Sequence, residues 1–240
     1  MNTTRRWPAV LVLAAALVAP PTARAADPLT DAIQAAYPPY RAALFRTNGT
    51  SQADAASALQ QARQAWADVV ARHAKAPPPP YDRDTAVAAT LAEVTAVYEH
   101  AAVQVEAGKL AKAHDTLERA RDLLADLRRR NGVVVYSDHM NAYHEEMEHV
   151  VIEGPQQLAT PPGAQALLAR VGALEYLAQR LRSEAPAGLQ ANAEFTALQQ
   201  QVQASVVAAR EALVRQDVTA AREALARIKK PYSQLFMKFG

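Results

Sequence analysis

Apolar residues return every three or four positions along most of the chain, which is the spacing of one helix face rather than the alternation of a strand. After Ser51 and Asp54, the positions Leu59, Ala62, Trp66, Val69 and Val70 predict a helix capped by Ser51 and finished before the stiff Pro77–Pro80 link. A second helix is predicted from about Asp84, carrying Val87, Leu91, Val94, Tyr98, Ala101 and Val105 and stopping at Gly108. The third places Leu110, Ala113, Leu117, Leu124 and Leu127 on one face and ends at Asn131-Gly132, a good left-handed stop. Ser137 is expected to cap a helix over Asp138 to about Glu153, closed by Gly154-Pro155. Two more helices are predicted over 164–182 and 193–215, and a last one from about Thr219 with a kink or restart at Pro231. An N-terminal helix over 31–45 should be interrupted at Pro38-Pro39.

These elements predict an all-α protein, an antiparallel bundle of about six to eight helices. One domain is expected over 26–240, with a sub-division near 155–163 as an alternative. Two faint echoes suggest duplicated helical hairpins. Pro39-Tyr40 through Phe45 resembles Pro231-Tyr232 through Phe236, and a turn followed by an Ala-rich start recurs at Asn48–Leu59, Glu106–Leu117 and Arg215–Leu225.

The first 25 residues are set apart from this pattern. Arg5 and Arg6, the eleven-residue apolar run Ala9–Ala19 and the small residues of Ala23-Arg24-Ala25 make a secretory signal, with cleavage expected after Ala25 and the bacterial periplasm as destination. The run is too short to span a bilayer, which takes about 20 residues. Removing the segment takes away three arginines and no acid. The formal charge of +2 becomes −1, with 23 basic against 24 acidic side chains, so the argument for a nucleic-acid partner disappears. The remaining chain is expected not to span the membrane. The absence of cysteine excludes disulfides, thiolate metal sites and covalent c-type haem.

The candidate chemistry lies where polar residues interrupt apolar faces, because burying them is costly without partners. His114 belongs to the apolar stripe of the third helix, with Glu118 one turn on. Residues 137–149 hold half of the six histidines, and there Met140, Tyr143, His144, Met147 and Val151 share a face with Glu148 one turn beyond His144. Two His-x-x-x-Glu pairs result, and side chains at i and i+4 converge on one point. Imidazole and carboxylate together suit Fe, Mn, Zn or Cu, with Fe, Cu or Zn the expected choice. Folding the two helices about residue 134 predicts the order His114, Glu118, Glu148, His144, with the histidines on the order of 15 Å apart. The expected ligands are Glu118 and Glu148 with His114, His100 or His149, and His144 as a further candidate. No Gly-rich phosphate loop, nucleophile elbow or Ser-His-Asp arrangement is visible, although the same carboxylates and imidazoles could serve acid–base work.

A signal segment, Ala-rich helices and the pairs His114–Glu118 and His144–Glu148 resemble periplasmic all-helical metal-handling proteins, namely the imelysin-like and iron-permease-associated helical domains. The resemblance covers two short stretches, and the Gly-x-His-x-x-Glu form of imelysin-like proteins is replaced here by His-x-x-x-Glu. It implies metal binding for delivery or sensing, with another periplasmic or membrane protein as partner. Two alternatives stay open. One is a non-catalytic helical interaction module in which the same residues form a structural polar network. The other is a bundle holding a non-covalent haem.

Overall fold

In a computed structural model, which describes residues 27–240, nine α-helices and one 3-10 turn account for most of the described residues, and no strand occurs among them. The expected signal segment lies outside the described residues. The helices are α1 (Pro28–Thr47), α2 (Gln52–His73), α3 (Val87–Glu106), α4 (Leu110–Arg130), α5 (Tyr136–Gln157), α6 (Pro161–Ser183), the single turn α7 (Ala187–Gln190), α8 (Ala193–Val214) and α9 (Val218–Phe239). Among the described residues, none is long and apolar enough to cross a membrane.

The helices close into two rings of four. In the first, α1 packs on α2, α2 on α3, α3 on α4, and α4 back on α1. In the second, α5, α6, α8 and α9 do the same. Each ring surrounds its own core. One is built from residues between Leu29 and Val133, with Trp66, Tyr98 and Leu117 at its centre. The other runs from Met140 to Leu235, with Tyr143, Leu174 and Phe195 inside. The cores therefore meet at the α4–α5 crossover, whereas the 155–163 stretch lies inside the second ring, between α5 and α6.

Local chemistry explains most of the boundaries. Ser51 accepts from the Asp54 N–H at 3.2 Å to open α2, and Asp217 accepts from Ala220 N–H at 3.0 Å to open α9. Thr160 opens α6, whose first two residues, Pro161 and Pro162, surrender N–H groups that no helix would use. Three expectations need correction. Helix α1 runs through Pro38-Pro39 without interruption and α9 passes Pro231 without a restart, because burial of Tyr37, Tyr40, Ile228, Tyr232 and Leu235 around them offsets a cost of about 3 kcal/mol per interior proline. Ser137 is a buried first-turn residue rather than the cap of α5. The cap role falls to Asp138, which accepts from Val135 N–H at 3.0 Å. Gly154 does not end α5 either. A Cβ there would lie 3.1 Å from Leu225 Cδ1 and 3.2 Å from Leu167 Cδ1, so the glycine lets α5 approach α6 and α9.

The turn echo marks the three tightest hairpins, α1–α2, α3–α4 and α8–α9. The last two share one closure. Lys109 N–H reaches Gln104 O at 2.8 Å and Asp217 N–H reaches Ala212 O at 3.0 Å, each across a left-handed residue. That residue is Gly108 (φ 71°) in one turn and Gln216 (φ 57°) in the other. A side chain in this region is strained by about 1–2 kcal/mol, and glycine gives part of that gain back as unfolded-state entropy. Gln216→Gly is therefore expected to stabilise the protein by about 0.5–1 kcal/mol, read as a raised midpoint in thermal unfolding. A lowered midpoint would refute the strain.

Candidate metal centre

The two rings touch along α1, α4, α5 and α9, and the polar residues singled out above gather at that seam. The contact is tied at one end by Arg128 of α4 and Asp138 of α5, and across α1 and α9 by Arg41, whose Nη1 donates to Phe236 O at 2.9 Å. Between them a cavity of about 70 Å³ is lined by His114, Glu118 and Arg121 of α4, His144, Met147 and Glu148 of α5, and Lys229, Tyr232 and Met237 of α9, with Leu44 of α1 and Asn48, just past its end, at the wall. That volume is enough for roughly two waters or one ion.

Glu118 is the centre of the cluster. Its Oε1 lies 3.4 Å from His144 Nε2, 3.8 Å from His114 Nε2 and 3.4 Å from Arg121 Nη1. The hydrogen bond with the His144 imidazole, joined by the Arg121 guanidinium, holds the Glu118 carboxyl down to about 2, against burial, which raises it. His144 Nε2 is also 3.9 Å from Glu148 Oε1, which Lys229 Nζ meets at 3.2 Å. The two carboxylate oxygens are thus no farther apart than the two arms that join each to His144.

His114 has a defined tautomer. Its Nδ1 sits 3.0 Å from Leu44 O, and a carbonyl can only accept, so the proton is on Nδ1 and the Nε2 lone pair is left to the cavity, with the Asn48 amide 3.4 Å away. Fixing one ring nitrogen on a backbone carbonyl is how metal-ligating histidines are oriented. The His144 ring stacks on Tyr232, centroids 5.7 Å apart at 30°, which holds its plane. Tyr232 is anchored in turn by donating to Met140 O at 2.9 Å, and Tyr40 makes the matching bond to Leu117 O at 2.8 Å in the other ring.

The structure brings His114, Glu118, His144 and Glu148 together, though not in the expected order. Both imidazoles approach the same Glu118 oxygen instead of standing on the order of 15 Å apart. The chain reverses at Asn131-Gly132, where Gly132 is left-handed (φ 66°), and not at the middle of the connector. Setting Glu118 opposite His144 moves the fold point to residue 131. That brings His114 within about one turn, ~6 Å, of His144's level. Helices α4 and α5 also do not pack along their lengths, since each belongs to its own ring. His100 is exposed on α3 beside Gln104 at 3.3 Å, and His149 pairs outward with Glu153 at 3.0 Å, so neither joins the cavity. His149 instead lines an open cleft of about 860 Å³ between α4 and α5, which also reaches Arg121, His144 and Glu148 from the solvent side.

Lys229, Tyr232, Met237, Leu44 and Asn48 were not expected at this site. The Pro-Tyr echo at 39–40 and 231–232 was the one available signal, and it marks the two tyrosines whose hydroxyls tie the helices beside the seam. Among the described residues, no three His, Asp or Glu side chains stand in ready coordination geometry. Set beside protein-family models, curated proteins and solved structures, the chain matches none of them.

Proposed function

We propose that this protein binds a transition-metal ion (Fe, Cu or Zn) in the seam between its two helical rings, in the periplasm, for delivery to or sensing with a partner protein. The observation that carries this reading is the pair of imidazoles converging on Glu118, one with its lone pair freed by the Leu44 carbonyl. Ligand atoms in a tetrahedral site with bonds of about 2.0–2.1 Å stand roughly 3.3 Å apart. The separations of 3.4 Å (His144–Glu118), 3.8 Å (His114–Glu118) and 3.9 Å (His144–Glu148) are each within about 0.6 Å of that value, pair by pair. A bound ion would take the place of the Asn48 amide at His114 Nε2. The cavity suits a bare ion and is far smaller than a porphyrin.

One observation favours a second reading. Arg121 and Lys229 already neutralise the two carboxylates, so the cluster is also complete as an ion-pair network fixing the angle between the rings. Metal content after purification without a histidine tag, with Zn(II) and Cu(II) titrations, separates the two. About one equivalent bound, and lost in His114→Ala/His144→Ala, is the expected result. A protein that takes up no metal, and whose double variant is merely less stable, leaves only the network.

A further inference from the structure

The charges at the seam narrow the identity of the ion. Glu118 is held by Arg121 at 3.4 Å, and Glu148 by Lys229 at 3.2 Å. A divalent cation that took both carboxylates would strip the largely buried Arg121 guanidinium of Glu118, leaving it only Asp122 at 3.5 Å, and would strip the half-exposed Lys229 ammonium of Glu148. The repulsion is strongest at Arg121, the cation farther from bulk water. Left in their present pairs, the carboxylates need no new partner. The remaining donors at the cavity are then all uncharged.

The nitrogen and sulfur donors among them are two imidazoles and two thioethers, beside the harder oxygens of Asn48, Tyr232 and Ser233. Met147 is fully buried on α5, one turn after His144, and Met237 is half-buried on α9, one residue after Phe236. The chain has four methionines and no cysteine, and two of the four line this one small cavity. Thioether sulfur is therefore the only soft sulfur donor available. A neutral, soft His/Met donor set selects a soft monovalent ion over Zn(II) or Fe(II).

We propose that the seam cavity is a copper(I) site ligated by His114, His144, Met147 and Met237, with the Glu118–Arg121 and Glu148–Lys229 pairs remaining as its wall. The proposal rests on the metal-binding reading of the same cavity and replaces its carboxylate ligands with thioethers. It explains why the imidazoles and carboxylates alone fall short of a coordination shell. It also gives a role to the two cations that a divalent site would separate from Glu118 and Glu148.

The test is an anaerobic Cu(I) titration of the full chain against a chromophoric Cu(I) chelator, with Zn(II) titrated in parallel. Met147→Leu/Met237→Leu conserves volume and apolar character, and helical circular dichroism checks its fold. Met237→Leu alone, at the less buried position, serves if the double variant does not fold. The native chain should bind one Cu(I), and the variants should bind it at least about tenfold more weakly, the loss typical of a disturbed metal site, while Zn(II) binding moves less than about threefold. X-ray absorption of the copper-loaded protein should show sulfur in the first shell. Unchanged Cu(I) affinity in the methionine variants, or a shell without sulfur, overturns the copper(I) site. The metal reading would still stand if His114→Ala/His144→Ala then abolished Zn(II) or Cu(II) binding. Absence of binding for both Cu(I) and the divalent ions overturns both.

Discussion

Arg128→Ala should destabilise the protein by about 3–5 kcal/mol, the typical result of removing one member of a buried ion pair. Arg128 sits in the last turn of α4 and is 1% exposed. Its Nε donates to both Asp138 oxygens, at 3.1 and 3.0 Å, and its Nη2 donates to Oδ1 as well. Its carbonyl accepts from Val133 N–H at 2.9 Å, closing the turn that ends the helix. Asp138 also accepts from Val135 N–H at the start of α5. One ion pair therefore seals the C-terminus of the last helix of the first ring to the N-terminus of the first helix of the second, each at the helix end whose dipole favours its charge. Alanine would remove the stem from the core and leave the Asp138 carboxylate half-buried without a cation. Asp138→Ala should cost a comparable amount, and the double variant should cost clearly less than the two losses combined, because the second change removes the orphan left by the first. Urea unfolding measures all three. A loss below 1 kcal/mol for Arg128→Ala would show that the crossover is held by packing alone.

The same crossover shows how far the sequence could be read. Helices such as α2 were legible from Ser51 through Val69, because an amphipathic stripe and a side-chain cap are local properties. The breaks expected at Pro38-Pro39, Gly154-Pro155 and Pro231 were not local questions. Whether a proline or glycine ends a helix depends on what the flanking residues bury, and Leu167 and Leu225, which crowd Gly154, arrive from α6 and α9. At the seam, the helical spacing of His114–Glu118 and His144–Glu148 was enough to find the cluster. The register between α4 and α5 was not, since a short connector suggests packed neighbours and these helices pack elsewhere. Leu44, which sets the His114 tautomer, is 70 positions from that ring, and Lys229 is 81 from Glu148. No periodicity along one helix can report such pairings. The His/Glu count drew attention to carboxylates, and Met237, 90 positions from Met147 in the chain, gave no local signal; the weight shifts to sulfur only when Arg121 and Lys229 are seen beside the acids.

Glu118 carries the second large expected effect, a loss of stability in acid. Its carboxyl is lowered from 4.5 to about 2 in the folded protein, chiefly by His144 and then by Arg121 and His114. A depressed folded-state value means that the unfolded chain binds the proton first as the pH falls. The stabilisation is therefore complete above about pH 4.5, declines below it, and is gone near pH 2, a change on the order of 3 kcal/mol for this one group. Glu118→Gln keeps the shape and removes the charge. At pH 7 it should be less stable than the native protein by that order, and the gap should close between pH 4.5 and 2. Urea unfolding at pH 7, 4.5, 3 and 2.5 tests the sign as well as the size, since two profiles running parallel would mean that Glu118 gains nothing from its neighbours. The same depression bears on ligand choice. A carboxylate held ionised down to about pH 2 has no proton to release on binding a metal, so uptake through Glu118 would be insensitive to pH on its account. What such a ligand must give up is Arg121, and that cost does not depend on the proton. If Cu(I) leaves the Glu118–Arg121 pair in place, Glu118→Gln should weaken folding while leaving Cu(I) affinity nearly unchanged, whereas a divalent ion bound to Glu118 would lose affinity along with stability.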